Sequence, residues 1–241
     1  MNREDLLKKR FKELTTEIQK IKADEQGTCV VAVTKYSPVD DIFISYDLGH
    51  QDFGENRVLD LQEKAEEFAR KGVSDVKWHF IGNLQSNKIN RLLKIPNLKF
   101  IHSIDSLSLL QSIISREDQF RGDRLGLFLQ VNTSGESEKQ GFDNYDTLAG
   151  AINFFLDEHG SRIYLAGLMT MGRIRSENVA ADAKECFKTL KEYRKRLEDD
   201  FGVTDLKLSM GMSGDYRIAL EQGSDYIRVG SVLYKSHSEN E

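Results

Sequence analysis

Short apolar runs alternate with longer stretches of helical periodicity along this chain, and the alternation repeats eight times. The runs are "TCVVAVTK" (28–35), "QDFGEN" (51–56), "VKWHFIG" (76–82), "LKFIHSI" (98–104), "LGLFLQVN" (125–132), "IYLAGLMT" (163–170), "LKLSMG" (206–211) and "YIRVGSV" (226–232). A strand covered on both faces reads as a continuous apolar run, so these belong to a parallel sheet flanked by helices. Eight such units in 241 residues fit a single (β/α)8 TIM barrel spanning residues 1–241. A doubly wound open sheet is the alternative reading of the same alternation. An additional amphipathic helix opens the chain, with Leu6, Leu7, Phe11, Leu14, Ile18 and Ile21 at helical spacing. Pro38 suits the first turn of the next helix, and Gly49, Gly72 and Gly202 suit helix stops.

Bulk properties exclude several function classes. Lysine and arginine total 34 against 39 aspartates and glutamates, a net charge of −5. That balance argues against binding nucleic acid through general basicity. No apolar run approaches the roughly 18 residues that span a bilayer, and the amino terminus lacks a signal-peptide core. The two cysteines, Cys29 and Cys186, show no framework spacing and read as free thiols of a cytoplasmic protein. The histidines at 50, 79, 102, 159 and 237 are scattered without metal-ligand spacing.

A barrel of this kind places its active site at the carboxyl ends of its strands. Polar and small residues gather at those ends here: Lys35; Glu55 and Asn56; Gly82 and Asn83; Ser103 and Asp105; Asn132; Met169 and Thr170; Ser209 to Ser213; Gly230 and Ser231. His79 lies within the third run. Strand ends are commonly polar, so two local patterns decide the matter. In "LSMGMSGDYRIALEQG" (208–223), a glycine-bearing turn carrying Ser213 leads at once into a helix. Such a turn offers free backbone N–H groups to an anion, although Ser213 also suits an ordinary helix cap. In "YIRVGS" (226–231), Arg228 sits in a strand covered on both faces, where a guanidinium needs a partner. The loops after strands 7 and 8 are where phosphate-binding barrels build their phosphate cup. An amine at Lys35 opposite a phosphate cup suits pyridoxal 5′-phosphate, whose aldehyde condenses with a lysine as a Schiff base.

The chain resembles the pyridoxal phosphate homeostasis proteins, single-domain relatives of the alanine racemase amino-terminal barrel. The resemblance rests on "VAVTKYSPVD", "FGENRV", "WHFIGNLQSNK", "IHSIDS", "VNTSGESEKQGF", "GLMTMG" and "LSMGMSGDYRIALEQGSDYIRVGS", in order over about residues 30–234. It implies a fold type III barrel with the cofactor held as an aldimine on Lys35. It implies phosphate contacts from Ser213 and the neighbouring backbone of its turn, and from Gly230 and Ser231, with Ser209 and Met212 also among the cofactor-binding residues. Arg228 would face the pyridine nitrogen, and Asn56, His79 and Met169 would line the cofactor. The last run departs from the family in reading "VLYKS" where relatives often read "AIFG".

Two function classes follow. One is a carrier or buffer of the cofactor in intracellular homeostasis, a monomer that delivers it to apo-enzymes. The alternative is a racemase or decarboxylase acting on amino acids. Racemisation needs acid–base groups on both faces of the substrate α-carbon. Lys35 serves one face, with Tyr36 or Tyr216 as candidates for the other. The short segment after the eighth run leaves no room for the second domain of racemases of the resembled fold. An arginine at the ring nitrogen disfavours its protonation and weakens the electron sink. The expectation is therefore a carrier without turnover.

Overall fold

The computed structural model describes residues 2–22, 27–135, 140–158, 160–172 and 178–235. His159 and His237 lie outside the described residues. The strands are β1 (Cys29–Val33), β2 (Asp52–Glu55), β3 (Lys77–Phe80), β4 (Leu98–Ile104), β5 (Leu125–Gln130), β6 (Ile163–Met169), β7 (Lys207–Met212) and β8 (Tyr226–Val229). All pair in parallel, in sequence order, and β8 returns to β1. Cys29 pairs with Tyr226 and Ala32 with Val229, which closes the barrel and rules out the open-sheet alternative. The α-helices are α1 (Arg3–Ile21), α2 (Val39–Asp47), α3 (Val58–Arg70), α4 (Ile89–Leu92), α5 (Leu107–Ile114), α6 (Tyr145–Glu158), α7 (Val179–Phe201), α8 (Tyr216–Glu221) and α9 (Ser231–Tyr234).

The first strand is shorter than its apolar run suggests. It ends at Val33, and the chain turns at once, Ser37 N–H donating to the Thr34 carbonyl at 2.8 Å. Pro38 stands one residue before α2, where its φ of −57° already matches a helix.

Two apolar assemblies hold the structure. The larger lies between sheet and helices, where Phe53 of β2 and Trp78 of β3 meet Phe68 of α3. The smaller lies inside the barrel, built on Phe128, Ala166 and Met169 with Phe100, Tyr164 and Tyr226 around them. Phe128 on β5 and Tyr226 on β8 have ring centroids 5.2 Å apart although their strands are not neighbours, so their rings meet across the interior. Room for these rings comes from Gly126, where a Cβ would stand 2.6 Å from the Phe100 ring.

Helix α1 packs across α2, α8 and α9. Asn2 caps it, accepting the Asp5 N–H at 2.8 Å, and Leu7 and Leu14 are buried beneath it. Arg3 donates to Asp41 of α2 at 2.9 Å and to the Tyr234 carbonyl at 2.9 Å, while Arg10 donates to the Leu233 carbonyl at 2.7 Å. The opening helix therefore clasps the end of the described chain.

Candidate functional site

The parallel sheet sends every strand's carboxyl end to one mouth, and most of the candidate residues gather there. Lys35 sits in the exposed turn after β1, its Nζ 5.0 Å above the Tyr36 ring, which is 86% exposed. The residue before it is fixed. Thr34 is buried and its hydroxyl donates to Glu55 at the end of β2, at 2.8 Å. Lys64 of α3 pairs with the same Glu55 oxygen and donates to the Thr34 carbonyl at 2.8 Å. Glu55 is fully buried, so this brace ties β1, β2 and α3 together directly below the lysine turn. Sequence reasoning placed Glu55 at a strand end and assigned it no part. A carboxylate closing a strand beside a helix lysine nine residues on was the available signal.

Asn56 follows Glu55 and is half-buried. Its backbone is packed so closely against Gly82 that a Cβ there would fall 1.9 Å from the Asn56 carbonyl oxygen. Only glycine allows this approach of the loops after β2 and β3.

Beside the end of β1, where a Cβ on Gly230 would stand 3.0 Å from the Val33 carbonyl oxygen, Ser213 and Gly230 meet. The Gly230 N–H donates to Ser213 Oγ at 3.1 Å, joining the turn after β7 to the end of β8. The capping alternative for Ser213 does not hold: Asp215 is the residue that precedes α8, and its carboxylate accepts the Met212 N–H at 2.6 Å. Ser231 is exposed as the first residue of α9, and Met212 is half-buried at the end of β7.

Arg228 lies two residues before Gly230, buried in β8 opposite Val31 of β1. It donates to Ser209 Oγ at 2.6 Å and to the Thr170 carbonyl at 3.0 Å. Both partners are neutral. Burial lowers its pKa to about 10, and Asp215 acts against that shift from a distance. It remains a cation at neutral pH, held in a dry setting by groups that do not cancel its charge.

Met169 and His79 are placed deeper. Met169 closes β6 within the interior assembly beside Phe128. His79 is fully buried, with Nδ1 2.9 Å from His102 Nε2 and Nε2 3.0 Å from Asp52 Oδ1. Both its nitrogens are engaged inside the barrel, so it supports the site rather than lining the mouth. His102 and Asp52 were absent from the sequence-based site, and Thr170 was named there only as the end of the sixth run. A histidine within an otherwise apolar strand, as in "FIHSI", was the signal for His102.

Among the described residues no group of acidic, histidine or cysteine side chains could hold a metal ion, and no helix is long and apolar enough to cross a membrane. Tyr216, a candidate second base, donates its hydroxyl to Glu17 of α1 on the outer side of the barrel. Burial and that contact push its pKa up to about 12.

A closed parallel barrel with an amine turn after β1 and an arginine in β8 defines a class, that of the alanine racemase amino-terminal domain, whose family matches residues 10–238. Within that class the chain belongs to the pyridoxal phosphate homeostasis proteins. It is 35% identical over 214 residues to the pyridoxal phosphate homeostasis protein of Schizosaccharomyces pombe, covering 89% of this chain and 86% of that one. It is 34% identical over 209 residues to the human protein of the same name, covering 85% of this chain and 75% of that one. The structure of PipY from Synechococcus elongatus, solved with PLP bound, superposes with a TM-score of 0.80 at 28% identity, covering 95% of this chain and 99% of that one.

Proposed function

We propose that this chain binds pyridoxal 5′-phosphate at the mouth of the barrel and serves intracellular cofactor homeostasis as a reservoir or carrier. The observation that carries this reading is Arg228. A buried cation bonded, among the described residues, to a hydroxyl and a carbonyl suits an electron-rich ring nitrogen that needs a donor and no proton. The cofactor, when bound, supplies an aldehyde that a lysine can engage and a phosphate that needs N–H and O–H donors. The residues present fit both ends. Lys35 offers an exposed amine on a braced turn and is the covalent attachment point. The Ser213 hydroxyl, Ser231 and the backbone of the turn after β7 offer the phosphate its donors, with Ser209, Met212 and Gly230 shaping that side. Asn56 and Met169 flank the cofactor from the loop after β2 and the end of β6.

The names of the relatives support the homeostatic role, and the PLP-bound PipY structure supports the ligand. A role without turnover is supported by the commitment of Tyr216 to Glu17, which removes one candidate for the second face of an amino-acid substrate. The exposed lysine turn suits release of the cofactor to apo-enzymes by a monomer. The test is a visible spectrum of protein loaded with pyridoxal 5′-phosphate, followed by borohydride reduction and peptide mapping. The label is expected on Lys35 and is lost in Lys35→Ala. Equal labelling of another lysine overturns the site. Lys35-dependent α-proton exchange of amino acids at about 10 per second overturns the carrier role.

A further inference from the structure

A continuous hydrogen-bonded chain runs through the barrel from Asp52 to Arg228. Asp52 Oδ1 is 3.0 Å from His79 Nε2, and His79 Nδ1 is 2.9 Å from His102 Nε2. His102 Nδ1 is 2.8 Å from Ser209 Oγ, which accepts from Arg228 at 2.6 Å. The links join β2, β3, β4, β7 and β8. Asp52 is the first residue of β2, on the barrel face opposite the mouth, and its side chain is 20% exposed.

We propose that Asp52 is a positioning residue for Arg228, setting the direction of every hydrogen bond in this chain and so committing Ser209 as the acceptor for the guanidinium. The logic is one of proton bookkeeping. A neutral histidine has one nitrogen that donates and one that accepts. The Asp52 carboxylate only accepts, so His79 carries its proton on Nε2. Its Nδ1 is then bare and accepts from His102 Nε2–H. That leaves His102 Nδ1 bare, and it takes the Ser209 hydroxyl proton. The Ser209 lone pairs therefore face Arg228 with no competing proton.

Without Asp52 the chain can run the other way. His79 could then donate from Nδ1 and His102 from Nδ1 to Ser209. The serine proton would be free to point elsewhere, including toward the guanidinium. Burial supports neutrality of both rings: it lowers the pKa of His79, and with His79 and Arg228 nearby it lowers that of His102 well below its usual value. The His102 ring also stacks on Phe128 at 4.4 Å and 13°, which holds it in the plane the chain requires.

The inference rests on the cofactor reading only in what Arg228 is for, and its test needs no cofactor. Long-range 1H–15N NMR of the full chain at pH 7, without added pyridoxal phosphate, reports each histidine tautomer. His79 and His102 are expected neutral, each with its proton on Nε2. In Asp52→Leu the His79 and His102 signals are expected to lose this single tautomer, with the Arg228 guanidinium signals moving too. A wild-type His102 protonated on Nδ1, or an imidazolium at either position, overturns the proposal whether or not the variant folds. So does a folded Asp52→Leu protein whose His102 and Arg228 signals stay at their wild-type positions. As a second readout, Asp52→Leu loaded with pyridoxal phosphate is expected to show a displaced visible absorption band, and Lys77→Met, which removes only the exposed neighbour of Asp52, is expected to leave the band in place.

Discussion

The Gly230 amide donates to the Ser213 hydroxyl, so the two arms of the proposed phosphate cup are bonded to each other at 3.1 Å. Ser213→Ala removes that acceptor and one donor to the phosphate. Stability without cofactor is expected to fall by about 1 kcal/mol, the usual net worth of a hydrogen bond. Affinity for pyridoxal 5′-phosphate should fall more than affinity for pyridoxal. Urea denaturation and titration calorimetry with both ligands measure the two effects. Equal loss for both ligands places the phosphate elsewhere.

Glu55 and Lys64 form a pair in which the carboxylate side chain is 0% and the amine side chain 14% exposed. Lys64→Met leaves a buried carboxylate with only the Thr34 hydroxyl. Removing one partner of such a pair costs about 3–5 kcal/mol. The turn bearing Lys35 should loosen with it. Chemical denaturation and the rate of borohydride-trapped labelling at Lys35 are expected to fall together, and a near-wild-type midpoint would show the brace to be inert.

Three histidines titrate against folding. Burial is the leading cause that lowers the pKa of His50, His79 and His102 from 6.5. The unfolded chain therefore binds more protons just below that value, and stability drops as pH falls through it. Each histidine contributes a slope of up to about 1.4 kcal/mol per pH unit. Denaturation midpoints between pH 7 and 5 are expected to decline steeply. The replacement His102→Asn should flatten the decline, since it removes a titrating group.

Gly126→Ala tests the interior filling. The added methyl would meet Phe100 at 2.6 Å and the Tyr164 hydroxyl at 2.9 Å, at a residue whose backbone is ordinary strand. Overpacking of this kind costs about 1–3 kcal/mol. Thermal denaturation reads the cost, and Phe100→Leu in the same chain is expected to recover part of it.

The barrel was legible because each strand is covered on both faces and so announces itself as an apolar run. Lys35, Arg228 and the Ser213 turn stood out for the complementary reason: each is a polar or glycine-bearing residue within or just after an apolar run. Strand ends were overrun, as at Val33, because the turn through Thr34 is held by Gly54 and Glu55 of another strand. The chain from Asp52 to Arg228 was not legible. Its members are 27, 23, 107 and 19 residues apart in successive links, and their partnership exists only after closure brings β4 to β7 across the interior. His79 and His102 looked scattered for the same reason.

The clasp of α1 on the end of the described chain has a kinetic side. β1 pairs with β8, and Arg3 reaches the carbonyl of Tyr234, 231 residues away. During synthesis, β1 leaves the ribosome long before its second partner exists. At roughly 5–20 residues per second, the 197 positions between Cys29 and Tyr226 take on the order of 10–40 s. For that interval one edge of β1 has its backbone groups unpaired, a template for other strands. The charged, capped α1 is complete from the start, yet it packs on α8 and α9 as well as α2, so its clasp closes only once the last strand has arrived.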